Sequence, residues 1–202
     1  MNVRELAVPG AWELTPVVHT DERGSFFEWF TDPGFSAFAG HRFDLRQANC
    51  SVSQAGVLRG LHFAQVPPGQ AKYVTCVRGA VFDVAVDLRV GSPTFGRWDA
   101  STLDDTSRRS VYLSEGLGHA FLALEDNSMV TYLCSAGYDP GREHTVDPLD
   151  PALDIAWPLA DSDLIMSERD RAATTLEQAL ADGLLPTWEE TQAFVESLRT
   201  AT

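Results

Sequence analysis

Lys72-Tyr73-Val74-Thr75-Cys76-Val77-Arg78-Gly79-Ala80-Val81-Phe82-Asp83-Val84-Ala85-Val86-Asp87-Leu88 is the stretch that decides the fold. In its second half, Phe82, Val84, Val86 and Leu88 alternate with Asp83, Ala85 and Asp87. A period of two gives a strand one apolar face and one mainly polar face. Arg78-Gly79 reads as the turn that joins residues 72–78 to residues 81–88 as a strand pair. Outward from this pair, short runs rich in Val, Phe, Tyr and Thr recur between Gly, Pro, Asp and Asn. They predict strands at 13–18, 26–30, 45–52, 57–63, 97–102, 110–113, 119–124 and 130–134. Short strands with a turn every eight to twelve residues or so indicate an all-β sandwich or barrel.

The last thirty or so residues change period. Thr174-Thr175-Leu176-Glu177 forms a capping box, and Gly183 suits the residue just past a helix end. Pro186 breaks the chain. Thr187-Trp188-Glu189-Glu190 is a second capping box, followed by Phe194, Val195 and Leu198 at helical spacing. These helices are expected to pack on the barrel or on a partner subunit. With no internal repeat and no linker, the 202 residues read as a single domain, 1–202. The roll would cover about 10–160 and a helical segment about 167–200.

The net charge is −14, from 15 Lys and Arg against 29 Asp and Glu. Such a surface repels nucleic acid and anionic membranes. An anionic small substrate can bind only where the few cations converge. Cys50, Cys76 and Cys134 form no Cys-x-x-Cys pair, and three buried free thiols in a reducing cytosol are expected. The charged first ten residues do not read as a signal peptide, and no apolar run approaches the ~20 residues of a spanning helix. A soluble, cytoplasmic protein is expected.

Val57-Leu58-Arg59-Gly60-Leu61-His62 places an Arg and a His in an otherwise apolar strand. Each needs a partner or a cavity. Positions 59 and 62 fall on opposite faces of a regular strand, so a shared site requires a bulge, for which Gly60 is suited. Taken alone, His62 and Arg59 fit a structural network, Lys72 fits solvent, Tyr132 and Tyr138 fit core residues, and Asp170 fits a helix start. Gly116-Leu117-Gly118-His119 hints at the second metal motif of cupins. A cupin metal site also needs a His-x-His pair and a Glu, whereas His62 is followed by Phe63 and Ala64. The expectation is a cupin-like barrel with no metal and no cofactor. With no Gly-x-Ser-x-Gly elbow, P-loop or Gly-x-Gly-x-x-Gly, the remaining chemistry is acid–base work by side chains.

Together these runs resemble the dTDP-4-dehydrorhamnose 3,5-epimerase family, its actinobacterial members most closely. The resemblance runs through Asp21-Glu22-Arg23-Gly24, Phe27-Glu28, Gln47-Ala48-Asn49-Cys50-Ser51-Val52-Ser53, Gly56 to His62, Gln70-Ala71-Lys72, Gly91-Ser92-Pro93-Thr94-Phe95-Gly96, Tyr132-Leu133-Cys134 and Ser167-Glu168-Arg169-Asp170. One departure is His119-Ala120-Phe121, where the family usually reads His-Gly-Phe. The resemblance implies a cupin-type jelly-roll barrel with short C-terminal helices, a homodimer, and dTDP-4-keto-6-deoxyglucose as substrate. It implies His62 as base, Asp170 as the acid that orients it, Tyr132 as general acid on the opposite face, and Lys72 as the cation beside the C4 oxygen. Arg23, Glu28, Gln47, Asn49, Arg59, His119 and Tyr138 are the implied substrate contacts or their supports. A single-position epimerase, a 3,4-ketoisomerase and a non-catalytic sugar-nucleotide-binding cupin are the alternative readings.

Overall fold

The computed structural model describes residues 1–200. Its strands are β1 (Asn2–Glu5), β2 (Ala11–Thr15), β3 (Val18–Asp21), β4 (Gly24–Phe27), β5 (Gln47–Ser53), β6 (Leu58–Ala64), β7 (Lys72–Arg78), β8 (Ala80–Asp87), β9 (Trp98–Asp104), β10 (Ser110–Leu113), β11 (Leu117–Ala123), β12 (Ser128–Cys134) and β13 (Glu143–Thr145). The α-helices are α1 (Asp32–Ala39), α2 (Glu168–Arg171), α3 (Leu176–Ala181) and α4 (Trp188–Thr200). Six strands form one antiparallel sheet in the order β1-β2-β10-β7-β12-β5, and five form a second in the order β13-β6-β11-β8-β9.

The two sheets face each other as a cupin-type jelly roll. Val74, Cys76, Val111 and Val130 of the first meet Val81, Ala85, Phe121 and Ala123 of the second in one buried core. On the outside of the five-stranded sheet, Leu61, Val84 and Val86 pack with Leu176 and Ala179 of α3. On the outside of the six-stranded sheet, Tyr73 and Tyr112 pack with Phe35 and Ala39 of α1. The hairpin β3–β4 stands apart as its own two-stranded ribbon.

The predicted pair 72–78 and 81–88 is present as β7 and β8, but the two are not hydrogen-bonded neighbours. β10 and β12 take both edges of β7, while β9 and β11 take both edges of β8. Arg78-Gly79 is therefore a corner between sheets, secured by the Gly79 N–H on Asp105 Oδ2 at 2.9 Å. The polar face of β8 points into the protein. Asp83 and Asp87 are 1% and 0% exposed. Arg89, itself 1% exposed, grips Asp87 through Nε and Nη2, each at 2.8 Å. Ser92 and Thr94 add their hydroxyls to the same carboxylate at 2.6 Å each. Burial opposes the charge on Asp87, yet Arg89 and these hydroxyls hold it below its ordinary pKa. The Arg89 guanidinium lies 4.6 Å from the centre of the Trp188 ring and so ties the start of α4 to the roll.

Other details depart from expectation. The segment expected as a strand at 13–18 is split between β2 and β3, because the chain leaves the sheet at Pro16. α1 is capped by Thr31, whose hydroxyl accepts the Gly34 N–H. Thr175, not Thr174, caps α3 by accepting the Gln178 N–H, whereas Thr187 and Glu190 form the capping contacts expected for α4. Cys76 and Cys134 are buried, but Cys50 is exposed, and all three are free. Among the described residues, no helix is long and apolar enough to cross a membrane.

Candidate active site

The site begins with an irregularity in β6. His62 pairs with His119 and Arg59 with Phe121, so three steps on β6 oppose two on β11. The extra residue is absorbed at Gly60, where φ is +120°. A Cβ there would lie 2.6 Å from the His119 carbonyl oxygen and 2.6 Å from the Ala120 Cβ. Only glycine fits so close an approach in that conformation. The bulge brings Arg59 and His62 to the same side of the sheet, the side of Phe121 and the barrel interior. Ala120 points the other way, into the outer core with Leu61 and Phe63. Its methyl is accommodated in that core, on the face of β11 opposite His119.

Gly60 also acts on the acid behind His62. Its backbone amide favours the charged form of the Asp170 carboxylate, and the Ser167 hydroxyl, which caps α2, accepts the Asp170 N–H at 3.1 Å. His62 Nε2 lies 2.8 Å from Asp170 Oδ1. A carboxylate at Nε2 selects the tautomer that carries its proton there, which leaves the Nδ1 lone pair as the basic atom. Burial pulls the His62 imidazole below its ordinary pKa. Asp170 counters this, and the positive charge of Lys72 deepens it.

His62 lines a cavity of about 340 Å³ with Gln47, Asn49, Cys50, Gln70, Lys72, Tyr132, Tyr138, Glu143 and Arg169. Lys72 is 8% exposed. Burial lowers its pKa, while Cys134, Glu143 and Asp83 pull it back up. Burial also pushes the Cys134 thiol up to about 11. The Tyr132 phenol is raised above its ordinary value by burial and by Cys134, against the pull of Arg59 and Asn49. It is therefore a protonated donor at neutral pH. Gln47 Oε1 accepts the Tyr138 N–H at 2.9 Å, and Gln47 Nε2 donates to Asn49 Oδ1 at 2.9 Å.

Of the residues singled out in the sequence, Gln47, Asn49, His62, Lys72, Tyr132 and Tyr138 line this cavity, and Asp170 stands behind His62. Arg59 donates to the Ser53 hydroxyl at 3.1 Å and acts on Tyr132 through its charge. His119 is buried against Asp83, Nε2 to Oδ2 at 2.8 Å. Arg23 and Glu28 are not brought to the cavity of their own chain. Arg23 lies on the exposed β3–β4 ribbon, paired with Asp21, and lines a separate hollow there with His19 and Phe26. Glu28 is exposed just beyond β4. Sequence reasoning missed Cys50, Gln70, Glu143 and Arg169 as lining residues. Glu143 lies in a three-residue strand too short to show a period, although Gln70 and Arg169 flank Lys72 and Asp170 closely enough to have been included.

Residues 5–178 match the family described as dTDP-4-dehydrorhamnose 3,5-epimerase. A protein of that name from Mycolicibacterium smegmatis is 69% identical over 199 residues, covering 98% of each chain. Among solved structures, the rmlC epimerase of Mycobacterium tuberculosis superposes with a TM-score of 0.97 at 64% identity, covering 98% of this chain and 100% of that one. A 3′-monoepimerase from Streptomyces bikiniensis, solved with dTDP-quinovose, gives a TM-score of 0.93 at 50% identity over 96% and 98% of the two chains. Near-complete coverage at these identities makes the chain a member of the dTDP-4-dehydrorhamnose 3,5-epimerase family.

Proposed function

We propose that the chain epimerises dTDP-4-keto-6-deoxy-D-glucose at C3 and C5, giving dTDP-4-keto-L-rhamnose. The observation that carries this reading is one cavity holding a carboxylate-backed imidazole, a buried ammonium and a half-buried phenol. A proton beside a ketone is weakly acidic, and its removal leaves an enolate. Lys72 supplies the charge that stabilises the developing oxyanion at C4. His62 Nδ1 takes the proton, and Asp170 stabilises the imidazolium that results. The C3 and C5 protons of the substrate lie on one face of the ring, so one base serves both. Tyr132 returns a proton from the opposite face, which completes inversion. Gln47, Asn49, Arg59, His119 and Tyr138 hold or support the substrate, and no step requires a metal or other cofactor. The single-position alternative is supported by likeness to 3-epimerases, among them the 3′-monoepimerase.

The active unit is a homodimer in which the β3–β4 ribbon packs on the partner. Two features favour this reading. The ribbon belongs to neither large sheet, and it and its approach expose Val17, Val18 and Phe26, at 57%, 40% and 68%. Packing there would carry Arg23 and Glu28 toward the partner's cavity. A cytoplasmic location accords with three unpaired thiols.

Three outcomes are expected. In D₂O, the keto-sugar substrate gains deuterium at both C3 and C5 by NMR, and the product has the L-rhamno configuration. Exchange at one carbon while the other stays protiated would establish the single-position enzyme instead. Sedimentation at micromolar concentration gives a dimer, and a monomer would refute the shared site. The third outcome concerns pH. The base must be neutral, so kcat/KM falls as pH drops through the His62 pKa, placing the acid limb below the ordinary imidazole value of about 6.5. Asp170→Asn removes the charge that raises that pKa, so its limb shifts further down. Its rate should fall by less than the roughly 10²–10⁴-fold typical of losing the base itself. An upward shift would contradict the arrangement.

A further inference from the structure

Glu115 is a carboxyl group that the proposed chemistry does not use, and it is only 1% exposed. It occupies the turn between β10 and β11, which joins the sheet of Lys72 to the sheet of His119. Burial raises its pKa. Its two oxygens have side-chain donors. The Ser135 hydroxyl donates to Oε1 at 3.2 Å and the Ser114 hydroxyl to Oε2 at 3.4 Å.

Ser135 links Glu115 to the active-site strand. Lys72 and Cys134 form the last paired rung between β7 and β12. One residue further, the Ser135 N–H donates to the Ala71 carbonyl at 3.0 Å. The Ala71 N–H turns to a side chain and donates to Ser135 Oγ at 2.8 Å. Ala71 is 1% exposed, so its N–H depends on an acceptor within the protein. A continuous chain therefore runs from the Ala71 N–H through Ser135 Oγ to Glu115 Oε1. Gly69 lies directly on Glu115, where a Cβ would meet the Glu115 Cβ at 2.8 Å. The segment Gly69-Gln70-Ala71-Lys72 is thus seated on Glu115 from below, and two of its side chains, Gln70 and Lys72, line the catalytic cavity.

Neither Glu115 nor Ser135 reaches that cavity. Both line a different hollow, of about 310 Å³, behind the strand with Phe43, Tyr112 and Phe194. We infer that Glu115 and Ser135 are positioning residues, which fix the backbone of Ala71 so that the Lys72 ammonium meets the oxygen where charge develops. This inference rests on Lys72 being the enolate-stabilising cation. A misplacement of about 1 Å in such a group can cost about 10²-fold in rate. Charge at that oxygen exists mainly in the transition state, so the loss falls on kcat rather than KM.

The test compares steady-state kinetics and thermal stability in four variants of the full-length chain. Ser135→Ala and Glu115→Ala are expected to lower kcat by about 10–10²-fold with little change in KM. Glu115→Gln keeps an amide oxygen to accept from Ser135 and should return kcat to near the wild-type value. Ser128→Ala is the control. Ser128 is more deeply buried than Ser135, and its hydroxyl proton is shared between the Ala80 and Glu125 carbonyls at the opposite end of β12. It should lose stability and keep kcat. If Glu115→Ala does not fold, Glu115→Asp, which withdraws the acceptor by one methylene, takes its place with the same expectation. Wild-type kcat in Ser135→Ala, or an equal loss in Glu115→Gln and Glu115→Ala, would overturn the inference. Wild-type turnover is measured in parallel. Its absence would remove the epimerase reading itself, whereas only the ratio of variant to wild type bears on Glu115 and Ser135.

Discussion

The hydrogen bond between His62 Nε2 and Asp170 Oδ1, 2.8 Å long, is the contact on which the remainder of the site depends. It joins a strand residue to a residue 108 positions later, on a four-residue helix with little packing of its own. That helix is held by this bond to His62 and by Ser167, which caps the turn, and the Gly60 amide favours the charge on the same carboxylate. Gly60 is also where β6 gains its extra residue against β11. One glycine therefore turns the imidazole into the barrel and sets a backbone amide where it favours the charge of the acid that orients it. A side chain at that position would break both functions, because its Cβ would overlap the His119 carbonyl.

Electrostatics explain how an acidic protein, with a net charge of −14, builds a site for an anionic substrate. The negative charges near the site are engaged: Asp170 with His62, Asp83 with His119, and Glu143 with the Gln70 amide at 3.3 Å. Lys72 and Arg169 remain on the cavity wall. The field of Lys72 acts in two directions. It lowers the proton affinity of His62 in the resting site, and in the proposed reaction it would stabilise the enolate once the proton has moved. Asp170 offsets the first effect without cancelling the second, since it touches the imidazole and not the substrate.

Much of this was legible in the residues, for physical reasons that differ along the chain. The alternation in β8 marked a strand because both of its faces are packed, yet a period of two does not say which face meets water. Asp83 and Asp87 proved to be inside because His119 and Arg89 meet them there, and those partners are distant or out of phase in sequence. The Gly60 bulge was readable because Arg59 and His62 are three apart and only an extra residue puts them on one side. α1 was missed because Asp32-Pro33-Gly34 has turn composition, although Thr31 and Pro33 also suit a helix start. β13 was missed because three residues carry no period, and Glu143 was missed with it. The places of Arg23 and Glu28 could not be read from spacing, since they lie on or just beyond a ribbon that is hydrogen-bonded into neither large sheet.

The account rests on a single base acting at both carbons beside the ketone. The most direct measurement takes His62→Ala in D₂O with the keto-sugar substrate and follows deuterium at C3 and at C5 separately by NMR, with nucleotide-sugar binding checked alongside. Exchange should fall at both carbons together, by about 10²–10⁴-fold, while binding is retained. Exchange that persists at the wild-type rate on either carbon would require a second base and would contradict the account.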